Sequence, residues 1–415
     1  MTRIAFLAYR GTMTSGGQGI YLHALTRELA AQGYEIDVFV GPPWPDPMPW
    51  AEVTRIENQC FWGSRFAPKP GAFLPDPDPL RIFSPLNFYE FAVTRFGFLP
   101  EPFAFSLRAA RAVIERIRRG RRYQLVHDVQ SVGYGLLWLR ALGLPVVTTI
   151  HHPLSVDRRS SLRRDRSFRE KKGTLTFYPV RTQRRVARRL DAVLTSSDAS
   201  ARELTDRFGV REDRLHRVRN GVELPPPGTH RSRPEPPELL FVGRCGDPNK
   251  GLEYLISALA QLPPRVTLRV LDQFPADTAL EAQIRELGLC KRLRFSGKVS
   301  RQELDRAYRS AAVVVLPSLF EGFGLPAVEA LAVGTPVVAA RAGALPEVIG
   351  TMGAGVLAAT ADPAALTRAI EQVLQNWQAE HARALAARPR IEQAYAWSRI
   401  AAGTARIYRQ LVERG

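Results

Sequence analysis

Two glutamates, Glu321 and Glu329, stand on either side of a glycine-rich turn within LPSLFEGFGLPAVEALAVGTPVVA, residues 316–339. The glycines of the turn let backbone N–H groups approach a ligand closely, because they have no side chain in the way. Pro326 fits the first turn of a helix, where its missing N–H costs nothing, and Gly334 fits the end of that helix. The pattern predicts a strand, a turn and a short helix, with one carboxylate before the helix and one inside it.

This arrangement fits a ligand that carries both phosphate and hydroxyl groups. A helix N-terminus has about half a positive charge and several free N–H donors, which suits a phosphate. A carboxylate aimed at that phosphate would repel it, so the two glutamates are better used as acceptors from vicinal hydroxyls. A sugar and a ribose each offer such hydroxyls, and the spacing therefore fits a nucleotide sugar. The alternative is a helix whose acids merely complement its dipole.

The surrounding chain alternates strands and helices. RIAFLAY predicts a buried strand, the following stretch has helical spacing at Ile20, Leu22, Leu25 and Leu29, and EIDVFVG predicts the next strand. A second series contains LLFVGR, VTLRVLD, LRFSGKV, AVVVLPS and PVVAARAG. Such alternation indicates parallel strands with crossover helices, hence an α/β protein with two doubly wound domains. We expect ligands at the carboxyl ends of the strands and an active site in a cleft between the domains.

Composition shifts suggest the domain boundaries. We predict an N-terminal domain at 1–222, a proline-dense linker at 223–238, a C-terminal domain at 239–395 and a final helix at 396–415 that packs back on the N-terminal domain. Residues 41–105 are rich in proline and aromatic residues, so we expect loops or short excursions there.

Overall composition is that of a globular protein with an anionic partner. The chain has 415 residues, 24% of them charged, and a formal net charge of +18. Its three cysteines, Cys60, Cys245 and Cys290, are widely spaced, so we expect reduced thiols in a cytoplasmic protein. The first residues predict a strand rather than a signal peptide, and no apolar run has the length of a membrane span.

Segment 316–339 resembles the signature of retaining glycosyltransferases of family 4, PSxxEGFGLPxxEAxAxGxPVVA, in which seven residues separate two glutamates. Other segments are similar to family motifs in the same order: SGGQGIYLHALTRELAAQGYEIDVF near the N-terminus, SSDASAREL, RNGVE, FVGRCGDPNKG, RFSGKVS and AGALPEVI. The resemblance spans nearly the whole chain and is weakest at 41–120. It implies the GT-B fold, in which two Rossmann-like domains face a deep interdomain cleft, the N-terminal one binding the acceptor and the C-terminal one the nucleotide sugar.

The resemblance also implies roles for individual residues. Arg244 and Lys250 would hold the donor diphosphate, Glu321 would contact the transferred sugar, Glu329 the ribose, and Val299 or its neighbours would flank the base. Two cations suit this role because they neutralise the charge that develops on the leaving diphosphate. The implied donor-binding set is Gly16, Gly17, Arg244, Lys250, Val299, Glu321, Gly322, Phe323, Gly324, Leu325 and Glu329.

A histidine pair in TTIHHP supplies the remaining candidates. His151 matches the family's histidine near the sugar, and the implied catalytic residues are His151, Glu321, Arg244 and Lys250. The doubled histidine leaves open which ring enters the site. Asp128, Gln130 and His152 are expected on the acceptor side.

The implied reaction is a retaining transfer, of the hexosyltransferase kind, from a nucleoside-diphosphate sugar to a hydroxyl acceptor. In the family account the departing phosphate oxygen takes the acceptor's proton, so the protein positions the substrates and stabilises charge. We expect neither cofactor nor metal, since the single Asp-x-Asp, residues 76–78, lies in a proline-rich stretch. Alternatives on the same fold are a nucleotide-sugar epimerase and a glycan phosphorylase.

Residues 151–190 carry thirteen Lys and Arg against three Asp and Glu, with the basic residues between 158 and 189. One interpretation is a solvated charged helix. The other is an acidic membrane surface or a lipid-linked acceptor, which would make the enzyme peripheral on the inner face of the membrane. A non-enzymatic binder of anionic membrane or nucleic acid is a further alternative, although no nucleic-acid-binding module is present and we expect no nucleic acid.

Overall fold

The computed structural model describes residues 2–13, 17–58, 78–165, 167–274 and 278–414. They divide into two compact units. The first unit comprises Met1–Ser196, Ser200–Gly221 and Trp397–Gly415, and the second comprises Ser197–Ala199 and Val222–Ala396.

A seven-stranded parallel sheet forms the centre of the first unit. Its strands are β1 (Arg3–Ala8), β2 (Glu35–Val40), β3 (Ala51–Arg55), β4 (Leu125–Val129), β5 (Val146–Thr149), β6 (Ala192–Thr195) and β7 (Leu215–Arg217). The order is β3-β2-β1-β4-β5-β6-β7. In register, Phe6 of β1 lies opposite Val38 on one side and His127 on the other. The chain therefore reverses its winding direction between β1 and β4, the place where doubly wound sheets bind ligands.

Helices flank this sheet in the same part of the chain: α1 (Gly17–Ala31), α2 (Pro85–Arg95), α3 (Glu101–Arg118), α4 (Gly135–Ala141), α5 (Leu154–Arg164), α6 (Phe168–Phe177), α7 (Val180–Ala187) and α8 (Asp198–Glu203). Strand β3, helix α2 and the first turn of α3 fall inside the stretch predicted as loops, so that prediction was wrong there. Pro85 and Pro102 occupy first-turn positions, where a helix needs no proline N–H, and Ser84 caps α2 through its side chain.

The second unit has a six-stranded parallel sheet. Its strands are β8 (Glu238–Val242), β9 (Thr267–Leu271), β10 (Leu293–Phe295), β11 (Val313–Leu316), β12 (Val337–Ala340) and β13 (Val356–Ala358), in the order β10-β9-β8-β11-β12-β13. Its helices are α9 (Leu252–Gln261), α10 (Thr278–Glu286), α11 (Arg301–Ser310), α12 (Leu325–Ala332), α13 (Leu345–Met352), α14 (Pro363–Gln375) and α15 (Trp377–Tyr395). The winding reverses between β8 and β11. Two parallel-sheet, Rossmann-like units confirm the predicted fold class.

The proline-dense segment 223–238 is irregular, as its composition suggests, but it packs on the second unit. Arg388 donates to the carbonyl of Pro225 at 2.7 Å, and Arg231 donates to the carbonyl of Ala311 at 2.8 Å. A Cβ at Gly228 would lie 1.9 Å from the carbonyl oxygen of Val333, so only glycine fits this approach. The segment is therefore held along its length by the second unit.

The last helix, α16 (Trp397–Val412), packs against α1 of the first unit. Ile400, Ala401 and Tyr408 are buried with Leu22 and Leu25 in the core on one face of the first sheet. Burial of this apolar stripe stabilises the helix more than its own propensity does.

Candidate active site

The switch point of the second sheet brings the predicted phosphate and hydroxyl ligands together. Strands β8 and β11 are neighbours, with Val313 opposite Leu239. The loop after β8 carries Arg244 and Lys250, and the loop after β11 carries Glu321. Residues from two distant stretches of sequence thus meet at one sheet edge, because parallel strands end on the same side.

An ion pair joins the two loops. The ammonium Nζ of Lys250 donates to both carboxylate oxygens of Glu321, at 3.0 and 2.8 Å, and Ser318 Oγ donates to Glu321 Oε2 at 3.2 Å. The side chain of Glu321 is only 12% exposed and that of Lys250 23%. The sequence analysis assigned Lys250 to the diphosphate and Glu321 to the sugar. It did not predict that the two residues pair, because their separation in sequence gives no indication of the contact.

Close backbone contacts fix the position of this pair. Leu319 N donates to the carbonyl of Asn249 at 2.8 Å, which ties the two loops directly. Ala344 N donates to the carbonyl of Glu321 at 2.8 Å. A Cβ at Gly343 would lie 2.2 Å from that same carbonyl oxygen, and the φ of Gly343 is +54°. The turn after β12 therefore packs on the Glu321 loop only because residue 343 is glycine.

The predicted residues of the turn have two different roles: Gly324 shapes the backbone, whereas Phe323 and Leu325 pack into the core. Gly324 has a φ of +91° and precedes α12. Phe323 is buried, with its ring 5.3 Å from that of Tyr395, and Leu325 packs against the same core. Their side chains anchor the turn, so any ligand contact from Gly322 to Leu325 falls to the backbone amides.

Arg244 remains the most accessible cation of the site. Its side chain is 61% exposed, and its Nη2 lies 3.3 Å from Asp247 Oδ2. The next residue, Cys245, donates its backbone N–H to Asp272 Oδ2 at 2.7 Å. Burial, reinforced by Asp272, raises the pKa of the Cys245 thiol to about 12, so this thiol is no nucleophile near neutral pH.

Glu329 lies inside α12 and is held by two residues of α11 that sequence reasoning missed. Arg301 Nη1 donates to Glu329 Oε1 at 2.5 Å, and Tyr308 OH donates to Oε2 at 2.8 Å. Burial, with the carboxylate of Glu329 adding to it, raises the pKa of Tyr308 well above its ordinary value, so its hydroxyl remains a donor. Val299 packs against the core of the second unit just before α11. Tyr308 could have been identified from the sequence, because it is a polar aromatic residue on the core-facing side of α11.

In the first unit, Asp128 and Gln130 shape the loop at the end of β4. Asp128 is fully buried and accepts hydrogen bonds from Ser131 Oγ, from Val132 N at 3.0 Å and from Thr148 Oγ1 at 2.7 Å. Burial raises its pKa to about 6, against these hydrogen bonds. Gln130 and Val132 have φ values of +60° and +44°, which are rare outside glycine and persist only where surrounding contacts enforce them.

The two histidines at the end of β5 differ sharply in environment. His152 Nε2 lies 2.8 Å from Asp157 Oδ1, and the backbone carbonyl of His152 accepts from Gln130 Nε2 at 2.9 Å. His151 N donates to Gln130 Oε1 at 3.0 Å, whereas both ring nitrogens of His151 are buried with no hydrogen-bond partner among the described residues. Burial lowers the pKa of His151 to about 4, although the nearby Asn220 side chain opposes the shift. Its ring is therefore neutral at physiological pH.

A second buried histidine lies next to this pair and was missed in the sequence. His127 Nδ1 hydrogen-bonds with Tyr408 OH of α16, and its Nε2 lies 2.7 Å from Thr149 Oγ1. Tyr21 OH lies 3.0 Å from Thr149 Oγ1. The rings of Tyr21 and His151 pack edge to face, with their centroids 4.4 Å apart. The available signal was a histidine inside a parallel strand whose other residues, apart from Asp128, are apolar. A buried polar side chain at such a position needs hydrogen-bond partners.

The other predictions concern the glycine loop and metal binding. Gly17 is the first residue of α1, whereas Gly16 lies outside the described residues. Of the Asp-x-Asp residues only Asp78 is described, and its side chain accepts from Leu80 N as a helix cap. Within the described ranges, no group of three or more His, Cys, Asp and Glu side chains is arranged to hold a metal ion.

Two family models match this chain. The model described as Glycosyltransferase Family 4 matches residues 15–224, and the one described as Glycosyl transferases group 1 matches residues 227–390. The MMP alpha-(1->4)-mannosyltransferase of Mycolicibacterium hassiacum is 35% identical over an alignment of 428 residues that covers 99% of each chain. The chain belongs to glycosyltransferase family 4.

Other comparisons agree with this membership. The D-inositol 3-phosphate glycosyltransferase of Xylanimonas cellulosilytica is 29% identical over 97% of this chain and 94% of its own. The structure of sucrose-phosphate synthase from Thermosynechococcus elongatus matches with a TM-score of 0.74 at 23% identity, covering both chains completely. The predicted GT-B class is confirmed. The enzyme transfers a sugar to an acceptor, and the alternatives of an epimerase or a non-enzymatic binder are not favoured.

Proposed function

We propose that this enzyme transfers mannose, with retention of configuration, from a nucleoside-diphosphate mannose to a hydroxyl of a saccharide acceptor. The observation that carries the proposal is the Lys250–Glu321 pair at the switch point of the second sheet, beside the accessible guanidinium of Arg244. The choice of mannose rests on the mannosyltransferase of Mycolicibacterium hassiacum, which is similar along its whole length.

In this proposal the second unit binds the donor. The exposed fork of Arg244 and the amides that precede α12 receive the diphosphate, and Lys250 bridges from the diphosphate to Glu321. The carboxylate of Glu321, oriented by Lys250 and Ser318, accepts hydrogen bonds from hydroxyls of the transferred sugar. A carboxylate has about four acceptor sites, so the two existing contacts leave capacity for the sugar.

Glu329 would bind the ribose hydroxyls of the nucleotide. Arg301 and Tyr308 hold its two oxygens in fixed positions, so the carboxylate is oriented before the nucleotide arrives. Preorganisation of this kind raises affinity by removing the cost of ordering the side chain during binding.

The first unit would bind the acceptor, with His151 rather than His152 contacting a sugar hydroxyl. His152 is engaged by Asp157, whereas the His151 ring nitrogens have no partner among the described residues. A neutral imidazole both donates and accepts, which suits a hydroxyl. Gln130 positions the histidine backbone through its amide.

Retention would follow from a front-face transfer, in which the glycosidic oxygen of the leaving diphosphate accepts the acceptor's proton as the new bond forms. Arg244 and Lys250 would offset the negative charge that grows on the diphosphate, a task that many other transferases give to a metal ion. The enzyme is therefore proposed to work without metal. Loss of one such cation is expected to cost roughly 3 kcal/mol of transition-state stabilisation.

The test is an assay with GDP-, UDP- and ADP-mannose against a panel of mannoside acceptors, with EDTA present and the product's anomeric configuration read by NMR. We expect transfer from one donor, an α-linked product from the α-linked donor, and no loss of activity with EDTA. Lys250→Gln should lower kcat/KM by roughly a hundredfold. Lys291→Gln, which removes an exposed lysine of the same unit, is the matched control. Transfer by inversion, or equal activity of the two variants, contradicts the proposed roles.

We further propose that the first unit docks on acidic membranes, from which a lipid-linked acceptor would be reached. Phe83, Phe96 and Phe168 are 80%, 75% and 84% exposed. Leu99 N donates to the carbonyl of Phe177 at 3.2 Å, which places the segment around Phe96 beside the end of α6. That helix carries Lys171 and Lys172. Exposed aromatic residues next to lysines suit shallow insertion at an anionic surface. Among the described residues, no helix combines the length and hydropathy of a bilayer-spanning segment.

Co-sedimentation with phosphatidylglycerol and phosphatidylcholine vesicles tests this docking. We expect binding to the acidic vesicles that weakens as salt rises, because the charge term is screened. Phe96→Ser and Phe168→Ser should each weaken it, whereas Phe274→Ser, at an exposed phenylalanine of the second unit, should not. Equal binding to both vesicle types argues against the proposal.

A further inference from the structure

Helix α7 presents an unusual row of arginines. Arg181, Arg184, Arg185 and Arg188 follow the spacing i, i+3, i+4 and i+7, which places them on one helical face, and Arg189 follows directly. All five are exposed. The opposite face is buried through Val180, Gln183, Val186 and Ala187. The helix is thus anchored by one side, and together with the two residues that follow it, it offers five guanidinium groups to solvent.

These arginines border an open recess on the surface of the first unit. A cavity of about 740 Å³ is bordered by Tyr134, Thr182 and the five arginines Arg181, Arg184, Arg185, Arg188 and Arg189. We call this the arginine basin.

The positive charge of the basin is not balanced by nearby acids. Within the described part of the chain, none of the five arginines forms an ion pair, and the one hydrogen bond of their side chains is from Arg185 Nη1 to Tyr134 OH at 3.3 Å. Two acids of neighbouring segments pair with other arginines. Glu203 pairs with Arg159 at 2.6 Å, and Asp191 pairs with Arg140 at 2.9 Å.

Stability of the helix does not explain this row. Cations near a helix C-terminus are favourable, which covers Arg184 and Arg185. Arg181 lies in the first turn, at the positive end of the dipole, and like charges four residues apart repel each other. Burial and the neighbouring charges of Arg181 and Arg159 also lower the pKa of Arg158 on α5. The like-charge spacing and the position of Arg181 are therefore unfavourable for the free helix, and a bound anion would relieve both.

The basin is connected to the loops that carry the predicted acceptor-side residues. Gln183 of α7 accepts a hydrogen bond from Leu154 N at 3.2 Å, two residues after His152. Tyr134 stands at the end of the loop that begins with Gln130. An anionic group in the basin would thus lie on the elements adjoining the carboxyl ends of β4 and β5.

We propose that the arginine basin binds a diphosphate group, carried by the acceptor as a handle separate from the hydroxyl that reacts. A diphosphate carried by an acceptor has a charge of about −2 to −3, which suits several guanidinium forks on one helical face. Only the assignment of this diphosphate to the acceptor rests on the proposed function. The binding site itself stands on the charge, shape and pairing of the residues around it.

Hydrogen–deuterium exchange of the full chain with inorganic pyrophosphate tests the proposal, because it reports each peptide separately. We expect pyrophosphate to protect the peptide over residues 180–190. The triple variant Arg181→Gln, Arg184→Gln, Arg185→Gln should weaken this effect at least about tenfold in apparent affinity. The triple Arg181→Lys, Arg184→Lys, Arg185→Lys keeps the charge and should weaken it less.

The matched control removes three other exposed arginines of the first unit, Arg111, Arg118 and Arg122, which form no ion pair among the described residues. Its protection by pyrophosphate should equal that of the wild type. Protection of residues 317–332 reports the proposed donor site independently, so failure at one site is separable from failure at the other. No protection at 180–190, equal protection in the glutamine triple, or protection only by phosphatidylglycerol vesicles overturns the basin proposal.

Discussion

The buried histidines of the first unit make its stability depend on pH in a calculable way. Burial lowers the pKa of His127 from 6.5 to about 3, with His151 adding to the shift, and lowers that of His151 from 6.5 to about 4. Between those values and 6.5 the unfolded chain binds more protons than the folded one. The free energy of unfolding therefore falls as the pH falls through this window.

The magnitude follows from the same values. Between pH 7 and pH 5 each histidine lowers the unfolding free energy by about 2 kcal/mol. Asp128 acts in the opposite direction, since burial raises its pKa from 3.8 to about 6 and the folded state gains protons first. It offsets about 1.3 kcal/mol over the same interval. The three groups together should lower the stability of the first unit by about 2.5 kcal/mol.

His127→Phe tests this account because phenylalanine fills a similar volume and cannot be protonated. We expect the decrease between pH 7 and pH 5 to shrink by about 2 kcal/mol. Hydrogen exchange of the peptide that contains β4, corrected for the intrinsic rate at each pH, measures the unfolding free energy of this unit without assuming two-state behaviour of the whole chain.

Thr149→Val provides the control for this variant. It removes the hydrogen-bond partner of His127 Nε2, at 2.7 Å, and leaves the titrating group in place. It should lower stability at both pH values and keep the slope. If His127→Phe retains the full decrease between pH 7 and pH 5, the histidine is not buried in its neutral form and the reasoning fails.

Two further predictions concern the second unit. Tyr308→Phe should raise the KM for the donor by roughly tenfold with little change in kcat, because Glu329 loses one of two orienting partners; steady-state kinetics measure this, and an unchanged KM would show that the hydroxyl is not needed. Gly343→Ala should lower the melting temperature by roughly 3–10 °C, because the new Cβ meets the carbonyl oxygen of Glu321. Gly350→Ala, in open space on α13, should leave it unchanged or slightly higher in calorimetry, and equal shifts for the two glycines would contradict the steric argument.

Local patterns were enough to predict the architecture. Alternating apolar strands and amphipathic helices indicated two doubly wound parallel sheets, and the structure supplies the order of the strands within each sheet. The helix after Glu321 was predicted from Pro326 and Gly334, and it runs from Leu325 to Ala332. These features depend on residues close in sequence, so they are readable without tertiary information.

Proline-rich segments were harder to interpret. Proline is favourable in the first turn of a helix and unfavourable in its interior. A proline in the sequence can therefore mark either the start of a helix or a loop. Residues 85–105 were therefore predicted as loops or short excursions, although α2 and the first turn of α3 lie there. Segment 223–238 was predicted only as a linker, and its hydrogen bonds from Arg231 and Arg388 to carbonyls of the second unit were not foreseen.

The sequence by itself determined the fold class, the order of the elements and the residue types at the strand ends, because periodicity and turn chemistry act over a few residues. Tertiary structure alone decided which side chains pair. Lys250 reaches Glu321 across 71 positions, and Tyr408 reaches His127 across 281. Such contacts depend on where parallel strands end and on which helix covers which face. Tertiary packing also sets the protonation of His151, because burial lowers its pKa and burial depends on the folded structure rather than on the local sequence.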